Sequence, residues 1–395
     1  MLTEKDLVEV VKGLIQVAQD LKTTVVFYYS DWSDKGVLHA WVIDAEKGIS
    51  YKKNDVSALL VGEQKGAVSV SDNNSLTPDL LGLEARSHQL GSAANHLVSE
   101  LEEATRSSVN IGKGISRDLK LWYKALIAPL EDLLPTEEGS RLTFIPDASL
   151  GIVPFAALQR EDDSYLVEHF TISMAPSLGV LSKLAEAQRQ NNKKERLNKG
   201  CVVSDPQENL EWAKQEGLDI ASVLKADPIV GKGASIKVIE KAIKEARWIH
   251  FACHGDPFKK TNIHSVYEGA LGLAPHTENP KGGWWHADQI HKIPLSAELV
   301  FLSGCDTGRG KIQKEGVIGL TRSFLAAGAS CVIATQWPIS DEATTKLVGG
   351  FYRSILNTRK PKQKAEALRE MMLEGIHQGL PPEKWAPFFL EGWPD

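Results

Sequence analysis

The sequence predicts an α/β fold in which a mostly parallel sheet is flanked by helices. Two observations lead there. Apolar runs with strand character alternate with segments of helical periodicity along most of the chain. Two of those runs, Trp248-Ile249-His250-Phe251-Ala252-Cys253-His254-Gly255 and Leu302-Ser303-Gly304-Cys305-Asp306-Thr307-Gly308, stop abruptly at small residues beside a reactive side chain. A buried parallel strand delivers a group to the carboxyl edge of a sheet in this way.

The elements follow in order. Residues 7–21 repeat apolar positions at helical spacing (Leu7, Val10, Val11, Leu14, Val17, Leu21). Residues 24–29 are β-branched and aromatic, and after a turn at Asp31-Trp32-Ser33-Asp34-Lys35-Gly36 residues 37–43 are their hairpin partner. Residues 71–75 read as a polar loop and 90–101 as a helix. Residues 119–134 form an amphipathic helix, broken or kinked at Pro129 and stopped by Pro135. A short strand follows at 141–145, with Val153-Pro154-Phe155 tucking back beneath it.

The polar stretch 186–199 is the seam between two halves, 1–195 and 196–395, as a length of 395 residues suggests. Beyond it, strands are expected at 200–204, at the run ending in His254, at 270–273, 299–303 and 331–335. Helices are expected at 210–224, 235–245, 317–327 and 342–356, and no tandem repeat of 20–50 residues is visible.

Composition narrows the function classes. The net charge is −6 and no block of Lys and Arg is dense enough for nucleic acid; Lys193-Lys194-Glu195-Arg196 sits in a polar linker. No apolar run reaches the ~18 residues of a membrane span, and Met1 leads into Thr3-Glu4-Lys5-Asp6 rather than a signal-like segment. The expectation is a protein without a membrane partner. Four widely spaced cysteines (Cys201, Cys253, Cys305, Cys331) form no paired framework, which suits a reducing cytoplasm.

The strand ends carry the chemistry. A thiol attacks an acyl carbon as thiolate, so a base must take its proton or its pKa must fall. Cys305 lies between Gly304 and a loop with Gly308 and Gly310, small neighbours that keep a sulfur accessible. His254, followed by Gly255, Asp256 and Pro257, supplies the imidazole, as general base in acylation and general acid toward the leaving amine. The backbone N–H groups of Gly255 and Cys305 are the candidate oxyanion donors. Cys305 as an inert core cysteine, or His254 as a surface cap, is the structural alternative. Zinc is disfavoured, because Cys253 and His254 point to opposite faces of a strand and no fourth ligand has suitable spacing. Cys201, Cys253 and Cys331 are expected to point into the core. No cofactor or metal is expected, and no Gly-x-Gly-x-x-Gly marks a nucleotide-binding protein.

The pair resembles the CHAT family of caspase-like cysteine peptidases, in the clan of caspases and separases. Ser303-Gly304-Cys305-Asp306-Thr307-Gly308 is similar to the family's Ser-Ala-Cys-Glu-Thr-Gly, with Gly304 and Asp306 as small departures. Further matches run in order: Glu315-Gly316-Val317-Ile318-Gly319-Leu320, Phe324-Leu325-Ala326-Ala327-Gly328-Ala329, Thr335-Gln336-Trp337-Pro338-Ile339-Ser340-Asp341, Phe351-Tyr352 and the terminal segment Trp385-Ala386-Pro387-Phe388-Phe389. Tyr28-Tyr29-Ser30, Ala40-Trp41-Val42-Ile43, Phe144-Ile145-Pro146-Asp147, Val153-Pro154-Phe155-Ala156-Ala157-Leu158 and Ala175-Pro176-Ser177-Leu178 extend the resemblance over the first half.

The resemblance implies a caspase-like mostly parallel sheet whose residues 1–195 are an N-terminal pseudo-caspase-like half and whose residues 196–395 are catalytic. It implies a cysteine endopeptidase acting on a protein substrate through the His254–Cys305 dyad, regulated in bacterial defence, cell death or signalling. It also implies association with TPR repeats or a regulatory partner. The strand 331–335 would line the primary pocket and its edge would bind substrate backbone as an added strand. Asp341 has two readings, an acidic pocket residue for Arg or the N-cap of the next helix, and Asp306 is a second acid or a turn residue. A pocket of Gln336 and Trp337 is the apolar competitor. Trp284-Trp285 is read as a gate or as packing. A non-catalytic peptide-binding module on the same fold is the rival function, though binding alone needs neither thiol nor imidazole.

Overall fold

The computed structural model describes residues 4–30, 37–56, 112–191, 199–259, 267–275, 283–304, 307–308, 310–313, 316–337, 342–357 and 359–395. The expected loop at 71–75 and helix at 90–101 lie outside these residues, as do Cys305, Asp306 and Asp341.

The strands are β1 (Thr24–Ser30), β2 (Val37–Asp44), β3 (Gly48–Asp55), β4 (Arg141–Ile145), β5 (Thr171–Met174), β6 (Gly200–Ser204), β7 (Ile229–Val230), β8 (Trp248–Ala252), β9 (Gly255–Asp256), β10 (Ala270–Gly272), β11 (Trp284–His286), β12 (Leu299–Leu302), β13 (Gly310–Gln313), β14 (Gly316–Gly319), β15 (Cys331–Thr335) and β16 (Phe388–Gly392). Eleven of them form one sheet in the order β3-β2-β1-β4-β5-β16-β15-β12-β8-β6-β7. The first five in that order come from residues before 195 and the other six from residues after it. The two groups meet through the single bridged pair Glu391 and Met174. Pairs β1–β4, β4–β5, β6–β7, β6–β8, β8–β12 and β12–β15 are parallel. The hairpin β1–β2–β3 and the closing pair β15–β16 are antiparallel.

Side-chain alternation explains why the central strands read as unbroken apolar runs. In β12, Leu299 and Phe301 join one core while Val300 and Leu302 join the core on the opposite face. In β15, Cys331 and Ile333 divide from Val332 and Ala334 in the same way. Helices Glu211–Leu224, Glu342–Ile355 and Lys364–His377 contribute to the first core, and Ile236–Ile243 and Leu320–Ala327 to the second. Over β1 and β2 a third core is closed by helices Glu4–Leu21 and Leu178–Asn191. With both faces covered, polar residues have no place on these strands unless partnered.

His250 on β8 is one such residue. Alternation along β8 sends Ile249, Phe251 and Cys253 into the second core and Trp248 and His250 to the other face. His250 is fully buried, its Nε2 2.9 Å from Glu216 Oε1 and its Nδ1 3.1 Å from the Tyr352 hydroxyl. Burial drives the Tyr352 phenol well above its ordinary range, so it stays protonated there.

Several elements differ from expectation. The helix expected from 317 begins at Leu320, because Gly316–Gly319 instead pairs with Gly310–Gln313 as a hairpin. Glycine-flanked β-branched residues (Val317, Ile318) favour the extended form. Strand β8 stops at Ala252, two residues before His254, and Gly255 opens the separate sheet β11-β10-β9. The helix Gly112–Leu126 ends before Pro129, which sits in a 3-10 turn at Ala128–Leu130. Strand β15 offers no free edge for an added strand, since β12 occupies one side and β16 the other. Strands β3 and β5 and the helix Lys364–His377 carried no expectation, and the helix Leu178–Asn191 runs into the stretch 186–199 expected as a polar seam.

Candidate active site

The site is built where β8 and β12 end. Their register sets Leu302 opposite Phe251, and Ser303 N–H donates to Phe251 O (2.8 Å). At the next position the chains are in close approach: a Cβ on Gly304 would lie 2.3 Å from the Cys253 carbonyl oxygen. The family's usual alanine therefore cannot be placed here unless the two strand ends move apart, so Gly304 is a larger departure than its size suggests.

Beyond Gly304 the chain is fastened by hydroxyls. Thr307 is fully buried; its Oγ1 donates to Leu302 O (3.0 Å) and accepts from Thr335 N–H (3.2 Å). Thr335 Oγ1 donates to Gly304 O, and Gly308 N–H to Thr335 O (2.7 Å). A side chain at 308 would meet the Phe389 ring at 2.1 Å, which explains the second glycine of the motif. Carbonyls at the strand end that would otherwise lose their ladder partners are thus paired, and both flanks of residues 305–306 are fixed. Replacing Thr307 with Val should keep the volume but leave Leu302 O and Thr335 N–H unpaired. Urea unfolding should show a loss of about 1–3 kcal/mol; an unchanged midpoint would remove Thr307 from this role.

His254 is half-buried at the other strand end. Its carbonyl accepts Gly272 N–H (2.8 Å), and Gly255 continues into β9 opposite Leu271. A Cβ on Gly272 would lie 3.1 Å from His254 Cβ and 2.9 Å from Gln207 Nε2, so β10 and the loop after β6 come together beside His254. His254 Nε2 is 2.9 Å from Asn209 Oδ1.

Asn209 stands in a tight turn after β6. Asp205 N–H donates to Ala252 O at the end of β8, and the Asp205 carboxylate accepts the N–H groups of Asn209 and Leu210, both at 3.0 Å. Asp205 (φ +41°) and Glu208 (φ +56°) both adopt the left-handed region. Two such non-glycine residues in one turn mark a conformation held by its surroundings. Asn209 and Thr307 escaped the sequence reading; Asp205-Pro206, a turn signal directly after an apolar strand, was the available cue for the first.

The other expected site residues are placed differently. Trp337 is fully buried and its Nε1 donates to Glu383 O (2.9 Å), so it packs the core instead of walling an open pocket. Gln336 is 2% exposed; its Nε2 donates to Val153 O (3.3 Å) beside an apolar crevice lined by Pro154, Met174 and Phe389. Trp285 is buried, whereas Trp284 is half-buried with Lys259 Nζ 4.3 Å from its ring centroid. Cys201, Cys253 and Cys331 point into the cores as expected. Burial pushes both the Cys201 and Cys331 thiols up to about 12. Among the described residues no group of three or more His, Cys, Asp and Glu side chains is arranged to hold a metal ion, and no helix is long and apolar enough to cross a membrane.

A caspase-like sheet with a histidine and a cysteine motif at adjacent strand ends defines the class. Residues 116–392 match the CHAT domain, and the chain belongs to that family. Among curated relatives, tetratricopeptide repeat protein 28 of Mus musculus is 28% identical over 331 residues, and that of Homo sapiens 26% identical over 323. Each alignment covers 69% of this chain but 13% of the relative, so the chain spans a small part of their length. Among solved structures, the Saccharomyces cerevisiae separase–securin complex is similar in fold, with a TM-score of 0.57 at 12% identity, over 100% of this chain and 32% of that one.

Proposed function

We propose that this protein is a cysteine endopeptidase that cleaves a protein substrate through a Cys305–His254 dyad and an acyl-enzyme. The observation that carries it is register. Leu302 stands opposite Phe251, an offset of 51, and 51 residues also separate His254 from Cys305. Gly304 packed against the Cys253 carbonyl and Thr307 anchored through its hydroxyl support the same reading from the two sides of residues 305–306. The imidazole takes the thiol proton, the thiolate attacks the scissile carbonyl, and the imidazolium returns the proton to the leaving amine. The backbone N–H groups of Gly255 and Cys305 are the oxyanion donors in this reading, and residues 1–195 are the pseudo-caspase-like half.

Of the acids, Asp306 and Asp341 remain the candidates for choosing the residue before the scissile bond, with a basic side chain favoured by charge pairing. A positional peptide library should show an Arg or Lys preference that collapses in Asp341→Ala; an unchanged preference removes Asp341 from recognition. The relatives' name supports a TPR region or regulatory protein as partner, and the wide spacing of the four cysteines in the sequence supports a reducing, cytoplasmic setting.

Thiol titration tests the nucleophile directly. Near pH 8 the Cys201 and Cys331 groups, held to about 12 by burial, carry almost no thiolate. Cys253 is 1% exposed, so the native protein should show one rapidly reacting thiol, lost in Cys305→Ala, and four after denaturation. Equal native titres for the two proteins would refute the assignment.

A further inference from the structure

The turn that follows β6 has no role in the dyad, yet its backbone is held at several points beside it. Five observations converge on one side chain. Asp205 N–H is tied to Ala252 O, so the turn is anchored to the strand that leads to His254. The Asp205 carboxylate holds the N–H groups of Asn209 and Leu210. Glu208 N–H closes onto Asp205 O at 3.1 Å. Two non-glycine residues in the left-handed region shape the loop. The product of this arrangement is Asn209 Oδ1 at 2.9 Å from His254 Nε2.

We infer that Asn209 is a positioning residue that fixes the tautomer of His254, so that Nε2 carries the proton and Nδ1 is the nitrogen that serves the thiol. An amide oxygen only accepts, so a hydrogen bond to it requires Nε2–H. In a neutral imidazole the other nitrogen then bears the free lone pair, and its hydrogen-bond partner decides which one that is. Asp205 acts one step further out: it does not reach the imidazole but holds the backbone from which Asn209 extends. A neutral amide suits the task better than a carboxylate would. It orients the ring by accepting one hydrogen bond and places no charge beside Nε2–H.

The consequence for catalysis rests on the peptidase reading, but the tautomer does not, and the test separates them. Nitrogen-15 NMR on the imidazole of His254, assigned by its absence in His254→Gln, should show Nε2 protonated and Nδ1 bare above the imidazole pKa. In Asn209→Ala the two tautomers should mix. Asn209 is exposed, so that substitution leaves the fold intact, checked by an unchanged melting temperature. Asn209→Asp, which adds a negative charge against Nε2–H, should move the His254-governed limb of the thiol-labelling pH profile upward. Asn209→Ala should slow labelling about 10–100-fold, the scale of a misplaced catalytic group, and Asn209→Gln should restore less than the native rate. A wild-type Nδ1–H tautomer, or populations unaltered in Asn209→Ala, would overturn the inference. Absence of any adduct on Cys305 would instead overturn the peptidase reading and leave the tautomer result standing.

Discussion

Cys305→Ala and His254→Ala should each reduce peptide turnover by on the order of 10³-fold or more, and the double variant should be little worse than either. Groups that act as one unit lose their function together, because removing the base leaves a thiol without its proton acceptor and removing the thiol leaves the base without a task. The loss should fall on kcat and on kcat/KM alike, since the covalent step is made only in the transition state. His254 is not a core position: it is half-buried at a strand end, and its backbone contact to Gly272 survives truncation. Circular dichroism and melting temperature should thus remain near wild type. Turnover in Cys305→Ala within about tenfold of wild type would point to a different nucleophile.

The second large effect lies in the core behind the site. Glu216→Ala should cost about 3–5 kcal/mol of stability, the usual result of stripping one partner from a buried ionisable pair. Glu216 is 5% exposed and His250 0%, so water cannot replace the lost contact. Tyr352 leaves His250 one remaining partner, at 3.1 Å. The pairing joins helix Glu211–Leu224, strand β8 and helix Glu342–Ile355, and β8 is the strand that leads into His254. Replacing Glu216 and His250 together by Leu and Phe should recover part of the loss, because an apolar pair leaves neither a buried carboxyl nor a buried imidazole without its partner. Chemical denaturation gives the numbers; a Glu216→Ala protein within about 1 kcal/mol of wild type would show that the network contributes little.

The parts of the fold that sequence revealed are those where one physical signal dominates. Strands β6, β12 and β15 are unbroken apolar runs bounded by Gly, Ser or Asp, and they appear within a residue or so of expectation. Strand β3 (Gly-Ile-Ser-Tyr-Lys-Lys-Asn-Asp) is mostly polar, because it lies at the edge of the sheet, and so escaped notice. Strand β5 is four residues long, too short for periodicity to register. The helix Lys364–His377 was legible in retrospect, since Leu368, Met371, Met372 and Gly375 fall on one buried face. Its charged neighbours obscured that stripe.

At the site, the two reactive residue types were legible because each follows an apolar run with no other reason to end there. Their supporting residues were not. Thr307 looks like any turn residue until its hydroxyl is seen between Leu302 O and the N–H of Thr335, which lies 28 residues from Thr307 in sequence. Asn209 lies 45 residues from His254, and no local pattern announces that contact. Trp337 misled in the opposite direction: an aromatic beside a strand end suggests a pocket wall, but its indole N–H finds a carbonyl inside the core. Long-range hydrogen bonds are a property of the fold, and a single sequence records only their endpoints.

The dyad itself is tested most directly by mass spectrometry of the protein treated with a peptide carrying a thiol-reactive ketone. One adduct is expected, mapped to Cys305, formed rapidly in the wild type and lost when His254 is replaced by Ala. An adduct on another cysteine, or one on Cys305 whose rate is indifferent to His254, would contradict it.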